Sequence, residues 1–575
     1  MSRVSWLSML SVAALVIACA QPAPQPPAEP PPGGERDAGS VAQEARVQAE
    51  AYRRERALTK HAPLMQPIAP AADVLGAGRY APMQQNREHY AHFEDHGIRR
   101  AAEQPVSTFS IDVDTGAYSN LRRMLRAGQL PPQDAVRVEE LINYFEYAYA
   151  PPKDRSTPFA THVEIAPTPW NPKTHLLRIG LQGWKPQGAL PPANLVFLVD
   201  VSGSMQSADK LPLVQSALKL LVREMDAQDR ISLVVYAGNT GVVLEPTPGD
   251  RTAQITAAIE RLQAGGSTNG AAGIELAYAM AQQGWIDGGI NRVLLATDGD
   301  FNVGTVDFEQ LKDLVEQRRK SGVALSALGF GTGNYNDHLM EQLADAGNGN
   351  YSYIDSLEEA HRVLVQARAA TLATIAKDVK IQIEFNPAQV AEYRLIGYEN
   401  RRLSREDFAN DRIDAGEIGA GHSVTALYEI ALTGSGGERI APLRYGDAAV
   451  IRDNGELAFL RLRYKVPDAD ASRLIERPIR RNEIRGDLAA ASDDFRFAAA
   501  VAAFGQLLRG GRYTESLGFD EVLALARAAR GDDAQGWRGE LVQLVQLAQS
   551  LGAPLRQSQT GQGSDPICES GRGCS

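Results

Sequence analysis

The chain has 575 residues, 44% hydrophobic and 22% charged, with 59 Lys and Arg against 70 Asp and Glu and a net charge of −11. This composition is globular and acidic, which excludes a wholly disordered or collagen-like protein and argues against the basic face of a nucleic-acid binder. Three cysteines are too few for a disulfide scaffold or a Cys-only zinc site, and no apolar run reaches the roughly 18 residues of a spanning helix.

Met1 to Ala18 carries Arg3 and then the apolar stretch Leu7 to Ala18, the layout of an export signal. It ends Val16-Ile17-Ala18-Cys19, which resembles a bacterial lipobox. The resemblance implies cleavage before Cys19, acylation of that cysteine, and a protein lipid-anchored on the extracytoplasmic side of the cell envelope. Ala20, not an acidic residue, follows it, which in a host with two membranes resembles sorting to the outer one. A plain secretory signal with an incidental cysteine is the alternative reading. Residues 21–34 (QPAPQPPAEPPPGG) predict an extended polyproline spacer, and the whole of 19–105 reads as a Pro/Ala-rich disordered tether.

Residues 106–188 read as a flanking region with β strands at Thr161–Ile165 and Leu176–Leu181 and a helix at Tyr118–Ala127. Its motif Asp112-Val-Asp114-Thr115, taken alone, resembles the nucleophile loop of haloacid-dehalogenase-type phosphatases. That keeps one alternative open, a metal-dependent phosphoester hydrolase using Asp112 and Asp114. The strand-helix series that such a fold requires does not follow, so turn or capping carboxylates, or an auxiliary Ca²⁺ loop, are the other readings.

From 189 to 370 the pattern changes to buried strands alternating with amphipathic helices. Asn194–Asp200 (NLVFLVD), Arg230–Tyr236, Arg292–Thr297 and Val323–Gly329 are short continuous apolar runs, and helical spacing separates them. This predicts an α/β fold with a doubly wound, mostly parallel sheet, whose ligands bind outside the carboxyl ends of the strands. Three of those ends are rich in oxygen: Asp200-Val-Ser202-Gly-Ser204, Gly265-Gly-Ser-Thr268-Asn269 and Asp298-Gly-Asp300. Hydroxyls and carboxylates are hard donors that suit Mg²⁺, or secondarily Mn²⁺ or Ca²⁺, and not zinc or copper.

On these residues the chain resembles the von Willebrand factor type A domain. Asp200, Ser202 and Ser204 match the DxSxS element of its metal-ion-dependent adhesion site, Thr268 the second element and Asp298 the third. The resemblance implies that Ser202, Ser204 and Thr268 would bind the metal directly and the two aspartates mostly through water. It further implies capture of an exposed Asp or Glu of a protein partner, with Asp300, Asn269 and Asn302 on the rim. No other residue pattern predicts catalysis: the nine histidines lack ligand spacing, and Gly329-Phe-Gly331-Thr-Gly333 reads as a strand-end loop without the downstream glycine of a dinucleotide fingerprint.

Beyond 370 the period falls to two. Val379–Phe385, Val424–Ile430 and Ala458–Tyr464 alternate apolar with polar, giving a β-sandwich region over 371–466. Because an inserted domain has neighbouring termini, these strands are expected to join those before 188 in one sandwich that the α/β domain interrupts. Residues 467–551 predict a helical region, and 552–575 a flexible tail in which export permits a Cys568–Cys574 disulfide. The whole order resembles that of bacterial type A domain lipoproteins with N- and C-terminal flanking regions.

Overall fold

The computed structural model describes residues 87–559 apart from 155, 187, 239, 267–269, 301–307, 445–453 and 468, with backbone alone from 553. The export segment, Cys19, Cys568 and Cys574 therefore lie outside the described residues.

Regular structure is already present ahead of the expected boundary at 106. Strand β1 (Arg99–Arg100) precedes β2 (Val106–Ser110), and helices α1 (Gly116–Arg126) and α2 (Val138–Asn143) lead into β3 (Phe159–Pro167) and β4 (His175–Gly183). The α/β domain then runs β5 (Ala193–Asp200), α3 (Leu211–Val222), β6 (Arg230–Tyr236), β7 (Gly241–Pro248), α4 (Thr252–Glu260), α5 (Gly270–Gln283) and β8 (Ile290–Thr297). It continues through α6 (Phe308–Arg319), β9 (Ala324–Phe330), α7 (Asp337–Ala346), β10 (Tyr351–Ile354) and α8 (Leu357–His361), and closes with a π-helical turn at Arg362–Gln366 and α9 (Arg368–Leu372).

Its sheet has the order β10-β9-β8-β5-β6-β7, parallel except for the edge strand β7. Every residue of β5 is buried, which explains the uninterrupted apolar run: the strand is covered by helices on both faces. The chain moves outward from β5 through β6 and β7, then returns to start again at β8 on the other side of β5. The switch point therefore lies between the carboxyl ends of β5 and β8.

After α9 come β11 (Thr374–Phe385), β12 (Val390–Ile396), β13 (Gly416–Gly419), β14 (Ser423–Leu432), β15 (Glu456–Lys465) and β16 (Arg473–Arg480). They do interleave with the strands before the α/β domain. One sheet is β1-β12-β14-β4-β3, and in the other β2 and β13 pair with one edge of β11, followed by β15 and β16. Phe109, Ile179, Ile381, Tyr428 and Leu460, all 0–1% exposed, meet in the layer between the two sheets. Since β16 pairs with β15 along its length, the sandwich extends beyond 466 into the stretch expected to be helical.

Helices α10 (Asp493–Leu508), α11 (Phe519–Ala528) and α12 (Trp537–Gln559) complete the chain. They share a core with α1 and α2, in which Tyr118, Leu121, Leu141 and Phe145 contact the cluster of Phe497, Phe504 and Val545. The N-terminal flank is thus divided, its strands joining the sandwich and its helices the C-terminal bundle. Among the described residues no helix is long and apolar enough to cross a membrane.

Candidate metal centre

Strands β5 and β8 are neighbours in register, Val199 opposite Ala296, so Asp200 and Asp298 come off adjacent strand ends. Both are fully buried and Ser202 is 2% exposed, while Ser204 is partly open to solvent. The Asp200 carboxylate is held at both oxygens: Oδ1 accepts the Ser202 backbone N–H at 2.8 Å, and Oδ2 accepts the Thr297 hydroxyl at 2.8 Å. Ser202 Oγ and Ser204 Oγ lie 3.0 Å apart. Burial, with Asp298 as a like charge nearby, pushes the Asp200 carboxyl up to about 6.

The second loop is clamped to the first. Gly265 N–H donates to the Val201 carbonyl at 2.7 Å, and Gly203 N–H to the Gly266 carbonyl at 3.1 Å. Gly266 sits at φ +93°, a conformation that favours glycine, and a Cβ there would press on the Gly238 backbone. Thr268 follows two residues on, within the segment outside the described residues, as do Asn269 and Asn302. The structure therefore brings together Asp200, Ser202, Ser204 and Asp298.

Two residues that sequence reading missed complete the site. Lys210, just ahead of α3, places its ammonium 2.9 Å from Asp298 Oδ2 and 2.7 Å from Asn334 Oδ1. Asn334 donates in turn to Asp298 Oδ2 and to Asp300 Oδ2, each at 3.1 Å, while Asp298 Oδ1 accepts the Asp300 N–H at 3.0 Å. Lys210 passes over Gly331 (φ +80°), where a side chain would collide with it. This gives the glycine-rich Gly329–Gly333 loop a steric purpose. The signal available in sequence was a lone lysine shortly after the DxSxS run.

The loop also carries the start of the described chain. Arg87 N–H donates to the Gly333 carbonyl at 2.7 Å and His89 N–H to the Tyr335 carbonyl at 2.9 Å, while Glu88 Oε1 accepts Gly333 N–H at 3.1 Å. Residues 87–89, assigned from sequence to a disordered tether, are in fact strapped along the segment that contains Asn334.

Asp112 and Asp114 lie elsewhere, and the phosphatase reading is corrected. Both are nearly buried, and Asp112 Oδ1 accepts the Asp114 N–H at 2.9 Å, an Asx turn. Arg401, from the sandwich, contacts both of them at 3.2 and 3.4 Å, and Asp114 Oδ1 accepts the N–H of Tyr351 at 2.8 Å. A carboxylate buried against a guanidinium and a backbone amide has no open face for a phosphoester. The pair instead joins the sandwich to β10.

That junction is unusually acidic. Arg401 also contacts Glu341 and Asp345, and Arg137 pairs with Glu140, Asp337 and Glu341. Burial pushes Glu140 up to about 8 and Glu341 up to about 7 despite their arginines, and holds Asp114 well above the ordinary carboxylate range. A carboxyl with a raised folded-state pKa stabilises the fold while it is protonated, and that stability is lost as pH rises through the folded value. The buried histidines His96 and His422, both pushed down to about 4 by burial, act in the opposite sense but only below about pH 6.5. Thermal stability should therefore fall between pH 6.5 and 8.5, and Glu140→Gln should flatten that slope. A melting temperature that stays flat or rises across this window would overturn the raised pKa values given to these carboxyls.

Residues 194–366 match the von Willebrand factor type A domain family, residues 84–178 the family described as von Willebrand factor, and residues 370–551 that described as Uncharacterized protein YfbK, C-terminal. Uncharacterized protein YfbK of Escherichia coli (strain K12) is 48% identical over 472 residues, 80% of this chain and 81% of that one. The magnesium-chelatase 60 kDa subunit of Rhodobacter capsulatus is 34% identical over 138 residues, 24% of each chain. A solved structure, von Willebrand factor type A from Catenulispora acidiphila, aligns with TM-score 0.40 at 16% identity over 68% of this chain and 89% of that one. The chain belongs to the von Willebrand factor type A domain proteins, and within them to the family of YfbK. Domains of this type mediate protein–protein interaction and adhesion, often with a divalent metal.

Proposed function

We propose that this protein is a membrane-tethered, extracytoplasmic binding module that uses Mg²⁺ at Asp200, Ser202, Ser204, Thr268 and Asp298 to capture an acidic side chain of a protein partner. The observation that carries the reading is the convergence of two buried aspartates and a serine hydroxyl pair at the β5–β8 switch point, with one hydroxyl facing solvent. The donor set fits a hard cation: every group is oxygen, and Mg²⁺ commonly keeps several waters beside such ligands. When bound, the ion would supply a Lewis-acidic position that a partner carboxylate can complete.

The chain's own residues set the terms of that exchange. Both oxygens of Asp200 are committed to the Ser202 amide and the Thr297 hydroxyl, which favours contact with the ion through water. Lys210 and Asn334 hold one oxygen of Asp298, and that aspartate is already partly neutralised by the ammonium. A cation faced by neutral hydroxyls and half-committed carboxylates retains positive charge toward solvent, and an acidic partner group meets it there.

Affinity capture from cell-envelope extract tests the reading. Partner retention should be strong with Mg²⁺ and lost with chelator, and a retained protein indifferent to chelation would refute metal-dependent capture. The tether is a separate part of the proposal. Cys19→Ser should release the protein from membrane fractions, and quantitative sedimentation of that variant in high salt would remove the lipid anchor from the account.

A further inference from the structure

The β-sandwich holds a recess of its own, far in sequence from the strand ends that carry the metal centre. A cavity of about 380 Å³ opens between the chain around β1, the floor of β12 and the segment after Tyr398, and its lining includes His96, Arg99, Tyr393, Leu395, Arg402 and Arg405. The lining is electrostatically one-sided. Its one carboxylate, Glu103, is engaged by Arg100, and among the described residues Arg99, Arg402 and Arg405 form no ion pair. Arg402 is fixed beside β2 through a bridge to Phe109, and Leu403 N–H donates to the Thr108 carbonyl at 3.1 Å, so this wall is built and not a loose loop.

His96 supplies the second observation. It is 8% exposed, and its Nε2 has no hydrogen-bond partner among the described residues. Buried polar atoms are nearly always satisfied, so an orphan at the wall of a cavity marks a missing ligand or water. The cavity thus offers three arginines, of which Arg99 also bonds the Tyr393 phenol, and one unpartnered imidazole nitrogen, with Tyr393 and Leu395 as an apolar wall.

The geometry points to a binding site for a phosphate monoester carrying an organic body. Guanidiniums bind phosphate oxygens through paired, charge-assisted hydrogen bonds. A phosphate monoester, with its second pKa near 6, carries about −1.5 to −2 near neutral pH against −1 for a sulfate ester or a carboxylate, so an arginine-lined wall favours it. Burial and the neighbouring Arg402, Arg99 and Arg394 push the imidazole down to about 4, so Nε2 meets the ligand as a nitrogen of a neutral ring. The organic body belongs to either a soluble phosphoester or a phospholipid with a terminal phosphate.

Calorimetry on the full chain, in chelator so that the metal centre is silent, tests this with phenyl phosphate at pH 6.5. Saturable binding of one molecule per chain is expected, weakened about tenfold or more in Arg402→Gln/Arg405→Gln, whose exposed side chains can change without a shift in melting temperature. Phenyl sulfate, with its single negative charge, should bind more weakly than phenyl phosphate, and equal binding would overturn the phosphate assignment. Phosphatidylcholine vesicles with and without phosphatidate separate the sources: selective co-sedimentation with phosphatidate assigns a lipid headgroup, and response to phenyl phosphate alone assigns a soluble ester. Absence of both responses, or binding unchanged in the double variant, would overturn the site.

Discussion

Arg122→Met should lower unfolding stability by about 3–5 kcal/mol, the usual cost of removing one partner from a buried ion cluster. Arg122 lies on α1 with a side chain 2% exposed. Its guanidinium meets Asp355 through two bonds at 2.8 and 2.5 Å, Glu359 at 2.9 Å, Glu540 at 3.0 Å and the Tyr144 hydroxyl at 2.9 Å. Asp355 and Glu359 belong to the end of the α/β domain, Glu540 to α12, and Tyr144 follows α2. One side chain therefore ties three parts of the fold. Methionine fills similar volume but leaves Asp355 buried with no cation among the described residues, while Glu359 keeps Arg362 and the Tyr144 hydroxyl. Urea unfolding gives the measurement, with Arg126→Ala as the control. Arg126 pairs with the same Glu540 at 2.6 Å but is 50% exposed, and an exposed pair contributes about 1 kcal/mol or less. Adding Asp355→Asn to Arg122→Met should recover part of the loss, because it removes the stranded charge. Equal effects at 122 and 126 would mean that water reaches the cluster.

Ser202→Ala/Ser204→Ala should abolish magnesium-dependent partner capture while leaving the fold nearly intact. The two hydroxyls bond each other at 3.0 Å and contribute on the order of 1 kcal/mol each to stability. The loop itself is held by backbone bonds and by Asp200, none of which the substitution touches. Two of the hard oxygen donors disappear, and the remaining carboxylates cannot present the same open position. Thr268→Ala should act in the same direction less completely. The alternative is a structural metal, for which binding free energy is folding free energy and chelation would lower the melting temperature of the wild type strongly. Thermal melts and capture assays on both variants, with and without Mg²⁺, separate the two. Retained capture with a collapsed melting temperature would contradict the adhesive reading.

The parts of this fold that were legible in sequence are those whose environment is uniform along the chain. Strand β5 is buried on both faces and reads as one apolar block, and β15 alternates because it shows one side to a core. The strands that escaped notice lack such a pattern. β13 is four residues with two glycines, β16 is crowded with arginines and carries Pro478, and β12 sets Glu392 and Arg394 among its apolar residues. Both charges are buried, Glu392 against the amides of Arg439 and Ile440 and Arg394 against Glu429, so polarity misleads there. The DxSxS element was visible because its residues fall within five positions. Arg122 with Glu359, and Arg401 with Asp112, were not visible, because their pairing is set by tertiary packing across more than 200 residues. Lys210 lies between these cases, close to the motif but joined to it only through Asp298 and the distant Asn334.

The strap at residues 87–89 gives the metal centre a mechanical connection. If the segments before residue 87 hold the protein at a surface, any pull along them enters the described fold at Arg87, on the carbonyl of Gly333. The next residue, Asn334, is bonded to Asp298. Tension from that side and the grip of a captured partner would then converge on one short loop, where the strap's bonds to Gly333 adjoin the Asn334 bond that positions the aspartate. The distance from anchoring force to binding chemistry would be a single residue, so the strength of the grip and the strain on the chain would not be independent quantities.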